Sequence, residues 1–431
     1  MNALSVHAAA LFKYSFIALP LAFAGMPLYI HAPDLYTRHY GMSIGVIGAI
    51  LLGIRLFDAI QDPVIGFLSD KFSAYRQLII YAGAFLLGLG MFGLFSLSPI
   101  ESQMAWWFGI NVVLATTGFS ILVINLNMVG ALWTDQTHQK TRITTSREAL
   151  GLLGLLVASA FPSVMDRFLS IEMVYVTLFL TFLVVLVIGV TCFRSFLLDL
   201  PPNHPAKDSL GETKWVLLSL LKGQEKRYFL TCFLSYLAAS VPAVLVLFVI
   251  RDYLNADSWT PIFLITYFIA GVAVMPIWYR LSTRIGKAET WLLSMLLAVA
   301  TFVWAYALQP GDVLLFAIIC VLSGFALGAD LALPPSILAD RVDTPRHHAD
   351  AAQYFALLAL IPKLALAVAT GAAFLLLNQL SFAPGQNNSP DSLAGLLLLY
   401  AIVPCLIKLV SAYVLWRDIQ FQGGFHANQT S

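Results

Sequence analysis

The chain has 431 residues, of which 59% are hydrophobic and 11% charged, with a formal net charge of +1. Ordinary soluble domains carry about 25% charged residues and have nowhere to bury this much apolar side chain, so the composition excludes a water-soluble domain and points to a polytopic membrane protein. The near-zero charge gives no sign of a nucleic-acid partner, and the four cysteines (Cys192, Cys232, Cys320, Cys405) are scattered without disulfide or metal-site spacing and read as packing residues.

The N-terminal MNALSVHAAALFKYS is no clear signal peptide, because the apolar run after it continues without a convincing cleavage site. A helix needs about 20 mostly apolar residues to cross a bilayer core. Twelve stretches meet that demand, at roughly 12–32, 43–69, 77–97, 105–130, 147–165, 172–194, 228–250, 259–281, 289–308, 312–336, 350–377 and 393–416. The longest polar interval holds PPNHP and a short amphipathic piece, KWVLLSLLKGQEKR. The predicted organisation is a six-helix bundle over 1–195, a linker over 196–227, a second six-helix bundle over 228–418 and a tail over 419–431. Of the 24 Lys and Arg, 18 fall in loops on the side of the N-terminus, and only Arg38, Arg167 and Arg251 lie in the opposite loops. The positive-inside rule then places both termini and the linker in the cytoplasm. Trp106 and Trp107, opening the fourth span, read as interface anchors. Gly83, Gly88, Gly90 and Gly93 in the third span, and Gly151 and Gly154 in the fifth, read as close-packing positions.

Six spans, a linker and six spans suggest duplication. The fourth span ends NLNMVGALWTD and the tenth DLALPPSILAD, which pairs Asn125 with Asp330; the second and eighth align Pro63 with Pro276. In that register Asp58 meets Gly271 and Asp62 meets Met275. The proline repeats and the carboxylates do not, so the acidic site belongs to the first half.

The second span reads RLFDAIQDPVIGFLSD. Arg55, Asp58 and Asp62 follow i, i+3, i+7 and share one helix face, which Gly66 continues. Asp62 lies eight residues before Asp70, roughly 12 Å into the membrane at 1.5 Å per residue. Pro63 has no N–H, so the carbonyl of Ala59 loses its helical donor. Two carboxylates and a freed carbonyl within about a turn suit a hard cation such as sodium, and one carboxylate raised by its neighbour suits a proton; Gln61 offers an amide oxygen, although it points off the main stripe. The plainer reading is an ion pair between Arg55 and Asp58, which leaves Asp62 unexplained because one arginine does not neutralise two acids. Asp330, ten residues before Asp340 and so roughly 15 Å deep, and Lys363 in the eleventh span form either a static salt bridge or a substrate or coupling site. Lys408 lies nearer its helix end and reads as snorkelling. Asn125 and Asn127 face different sides of the fourth span, so at most one lines a central cavity.

These residues carry a resemblance. GMSIGVIGAILLGIRLFDAIQDPVIGFLSD resembles the second-helix signature of the glycoside–pentoside–hexuronide:cation symporters of the major facilitator superfamily, the family of melibiose permease. PPSILADRVD with the later Lys363, and Arg147 in TTSREALGLLG, are further matches. The resemblance implies an all-α membrane protein of twelve transmembrane helices in two pseudo-symmetric bundles, with Asp58 and Asp62 as cation ligands. It adds substrate or coupling roles for Arg55, Arg147 and Lys363; the residue pattern itself adds Asn125 and Asp330 to that group and places Asp70, Asp135 and Asp340 at the cytoplasmic gate or loops. Sugar-transporting relatives often carry acids that here fall near Ala22 and Leu122, which hold no sugar hydroxyl; lysolipid carriers share the second-helix motif.

The leading expectation is therefore a secondary symporter driven by sodium or protons, moving a small organic solute such as a sugar or glycoside. Lysolipid or amphiphile carriage, an uncoupled facilitator and a receptor without flux are the alternatives. A membrane enzyme would need more than His347, His348 and Asp350, which have no nucleophile or metal set beside them. No cofactor is expected beyond the coupling ion, and the expected partners are the solute and the bilayer of a bacterial inner membrane, with the chain as a monomer.

Overall fold

The computed structural model describes residues 6–99, 101–166, 168–199, 225–343 and 350–429. Most of the expected linker, and the stretch with His347 and His348, therefore lie outside the described residues. Among the described residues the chain is helical, in twelve rods: α1 Ala8–Thr37, α2 Ile44–Lys71, α3 Ser73–Phe95, α4 Met104–Ala131, α5 Thr137–Met165, α6 Ile171–Asp199, α7 Lys226–Tyr253, α8 Thr260–Ile285, α9 Lys287–Ala307, α10 Val313–Val342, α11 Ala351–Gln379 and α12 Pro390–Gln420. Ten are long and apolar enough to cross a membrane. The other two, α2 and α5, hold 28 and 29 residues and carry the charges discussed below.

The chain divides into two compact units, the first Met1–Leu217 with Leu338–Leu360 and the second Leu218–Ile337 with Ile361–Ser431. The end of α10 and the start of α11, expected in the second bundle, thus group with the first unit. Their contacts explain it. Lys140 of α5, 1% exposed, donates to the carbonyl of Ala339 at 3.0 Å and to Asp343 at 2.6 Å, with Asp340 at 3.8 Å. A methyl added at Gly66 of α2 would stand 2.6 Å from the Cβ of Ala356.

Within the first unit α3 and α4 pack backbone to backbone. A methyl on Gly90 would lie 2.5 Å from the nitrogen of Ala115, and one on Gly118 would overlap the backbone of Gly83 and Leu87. Gly83, Gly93 and Gly154 are equally tight against Ile121, Asn111 and Leu19, whereas Gly88 and Gly151 have ordinary contacts at 4.0 and 3.7 Å and are not close-packing positions. Trp106 is 75% exposed, as an interface anchor should be, but Trp107 turns inward and donates its indole N–H to the carbonyl of Gly93 at 3.0 Å. Duplication shows as a repeated device. Tyr14 of α1 donates to the carbonyl of Leu126 in α4 at 2.8 Å, and Tyr228 of α7 donates to the carbonyl of Pro334 in α10 at 2.7 Å; both rings are fully buried. Pro63 and Pro276 both lie inside their helices.

Gly118→Ala is expected to cost about 1–3 kcal/mol of stability through overpacking, read as a lowered unfolding midpoint in detergent. Gly88→Ala should leave that midpoint unchanged.

Candidate functional site

Each unit holds a cluster of charge within its spans. In the first, Asp58 and Asp62 of α2 are 0% exposed and Gln61 is 8% exposed. Pro63 follows directly inside the same helix, which deprives the Ala59 carbonyl of its donor. Thr117 of α4, which the sequence reading passed over, stands 2.8 Å from Oε1 of Gln61 and 2.7 Å from the carbonyl of Val113. A hydroxyl has one proton to donate, so it serves one of these acceptors at a time. If it serves Val113, the usual partner four residues back in a helix, a half-turn of the Gln61 amide lets the amide N–H donate to Thr117. The side-chain oxygen of Gln61 is then open to a ligand. The other amide atom, Nε2, has no hydrogen-bond partner among the described residues, so the turned amide satisfies more groups than the unturned one.

Arg55 does not pair with Asp58. Its guanidinium lies over the ring of Tyr29 in α1, 4.2 Å from the centroid. Asn125 is buried and donates to Ser69 Oγ at 3.0 Å and to the carbonyl of Ile121 at 2.9 Å. Ser69 lies seven residues past Asp62, about 10 Å along the helix, which sets Asn125 apart from the acids. Arg147, 4% exposed in α5, binds the neighbouring carboxylate of Glu148 through Nε and Nη2.

At the end of α2, Asp70 is 5% exposed and accepts from the backbone N–H groups of Ala352 at 3.0 Å and Gln353 at 3.1 Å. It therefore caps the N-terminus of α11, where unpaired donors and the helix dipole favour a carboxylate. Burial pushes this carboxyl up to about 7, against the pull of the two backbone donors and of Arg76. Asp340 lies near Lys140, as described above, while Asp135 is exposed between α4 and α5. The three expected loop acids thus have different surroundings, and Lys140 and Asp343 join them without having been singled out in the sequence.

The second unit corrects two expectations. Asp330 of α10 pairs with Lys408 of α12, not with Lys363, and Lys408 is 5% exposed instead of snorkelling. Lys408 also donates to Ser235 of α7 at 2.7 Å; Ser235 donates to Asp330 at 3.1 Å and the indole of Trp291 in α9 donates to Asp330 at 2.8 Å. Both oxygens of Asp330 are thus used, and four helices meet on one carboxylate. Lys363 is half-buried in α11, immediately after Pro362.

Apolar spanning helices, charges buried within them and carboxylates beside a proline-opened turn are the architecture of a membrane transporter. Comparison with known proteins agrees. Residues 13–420 match the family model described as MFS/sugar transport protein, and the chain belongs to that family. It is 23% identical over 407 residues to a glucuronide carrier protein homolog of Escherichia coli (strain K12), covering 88% of this chain and 86% of that one. Among solved structures it resembles a bacterial homologue of the iron transporter ferroportin in its outward-facing state (TM-score 0.76, 14% identity, 95% of this chain and 99% of that one). It also resembles the E. coli fucose:proton symporter (TM-score 0.64, 16% identity, 95% and 97%). At such identity the structural likeness shows the fold, which is that of the major facilitator superfamily.

Removing one partner of a buried ion pair leaves the other charge uncompensated, at a cost of about 3–5 kcal/mol. Lys408→Met alone should therefore lower the unfolding midpoint strongly, and Lys408→Met with Asp330→Leu should recover most of the loss. A double variant no better than the single one would show that the pair is not what ties these helices together.

Proposed function

We propose that this chain is a secondary active transporter that couples movement of a sodium ion or proton to symport of a small organic solute of the sugar or glycoside kind. The observation that carries this reading is the pair of fully buried carboxylates, Asp58 and Asp62, one turn apart on α2 beside the proline-opened turn at Ala59. Charge at such a position is expensive and by default functional. A cation bound there has two carboxylates, the Ala59 carbonyl and the Gln61 amide within reach, with Thr117 orienting the amide. The names of two similar proteins, a glucuronide carrier homolog and a fucose:proton symporter, favour a sugar-like cargo.

In this reading the cation favours the loaded carrier, and cargo and ion cross together by alternating access. Arg55, Arg147 and Lys363 are the polar groups proposed to serve substrate or coupling. Asp70 and the group formed by Lys140, Asp340 and Asp343 close the cytoplasmic side. The chain sits in a bacterial inner membrane with both termini inside, as its loop charges suggest, and works as a monomer. A lysolipid or other amphiphile is the second cargo class. It is favoured by Ala22 and Leu122 at positions where sugar carriers often place acids, and Leu122 is 2% exposed inside the first unit.

In proteoliposomes, wild-type uptake should rise with an imposed sodium or proton gradient and Asp62→Asn should lose that dependence. Full gradient dependence in the variant would overturn the assignment. A panel of neutral glycosides, glucuronides and lysolipids, run with and without the gradient, sorts the cargo classes.

A further inference from the structure

Arg55 is an internal rival to any cation bound on α2. It stands three residues before Asp58 on the same helix face, and an arginine at that spacing reaches a carboxylate readily. A guanidinium folded onto Asp58 would hold the very group that a coupling ion needs. In the structure it is held elsewhere. Its Cζ sits 4.2 Å from the centre of the Tyr29 ring, and among the described residues Arg55 makes no hydrogen bond or ion pair. The attraction of a cation for a ring face is largest where both are withdrawn from water.

The position of Tyr29 has a local cause. It is the middle residue of Pro27–His31, a π-helical turn inside α1. A π turn bonds residue i to i+5, takes in one more residue than an α turn, and so re-aims the side chains that follow; such turns are frequent at functional sites. Pro27 opens this one, and Pro33 lies two residues beyond it.

We propose that Tyr29 is a positioning residue that sets the cation affinity of the site. Its ring holds Arg55 aside from Asp58, so that the arginine does not compete with the coupling ion. The proposal rests on the cation-coupled reading above. It gives α1 a part in ion binding, and it explains why an arginine is tolerated one turn from the acids.

The test uses the purified full-length chain. Unfolding midpoints are followed against sodium chloride, with choline chloride holding ionic strength, and against pH in choline chloride alone. The coupling ion is the one that shifts wild type and fails to shift Asp62→Asn. Tyr29→Leu keeps apolar bulk and removes the ring; it should raise the half-saturating concentration of that ion about tenfold, equivalent to one pH unit for a proton or about 1.4 kcal/mol. Tyr29→Phe keeps the ring face and should stay within about twofold of wild type. In the Arg55→Gln background, Tyr29→Leu should change little, because the rival charge is gone. If Tyr29→Leu does not unfold cooperatively, Tyr29→Met takes its place with the same expectations. An unchanged ion response in Tyr29→Leu, or an equal shift with and without Arg55, overturns the positioning role while leaving the cation site standing. A wild type that answers neither ion, or an Asp62→Asn protein that answers like wild type, overturns the coupled reading itself.

Discussion

The cost of charge in hydrocarbon is the constraint on which the rest of this molecule depends. Each ionised group near the centre of a bilayer costs roughly 3 kcal/mol even on the mildest scales, and this chain places several inside its helices. Every one must be met by a counter-charge, by hydrogen-bond donors, by an aromatic face or by a ligand. The arrangement of helices follows from how each is met.

The two units solve the problem differently. In the second, the solution is closed: the carboxylate of Asp330 receives Lys408, Ser235 and Trp291 from three other helices. The same helix is held further along by Tyr228 on the carbonyl of Pro334 and by Lys287 on that of Ser336, and its two successive prolines, Pro334 and Pro335, leave the carbonyls of Asp330 and Leu331 without helical donors. Such a cluster ties four helices together. In the first unit, Arg55 lies on an aromatic face, the Gln61 amide has a choice between two orientations, and Pro63 opens the backbone beside the acids. The two halves thus treat their buried charge unequally.

Much of this was legible in the sequence because the same cost leaves a mark there. Long apolar runs announce helices, so their number and order could be read directly, and a charge inside such a run stands out at Asp58, Asp62 and Arg55. Pairing was harder. Asp330 has two lysines within plausible reach, and the choice of Lys408 over Lys363 is made by how α12 packs beside α7 and α9, which no local pattern encodes. Thr117 was missed because a hydroxyl in a membrane helix can satisfy itself on the carbonyl four residues back and so carries no signal. The π turn at Pro27–His31 was equally hidden, since prolines recur along α1 and one added residue per turn leaves composition unchanged. Among the glycines, the sequence suggested contact positions, but only packing separated Gly90 and Gly118 from Gly88.

The account rests on the acidic face of α2 being where the ion binds. Direct ion counting tests that most plainly: equilibrium binding of radioactive sodium to the purified chain, with proton uptake and release titrated in parallel on the same material. The account predicts one sodium, or one titrating proton in its place, bound per chain in wild type and lost from both Asp58→Asn and Asp62→Asn while each variant still folds. Undiminished binding in the two folded variants would contradict it.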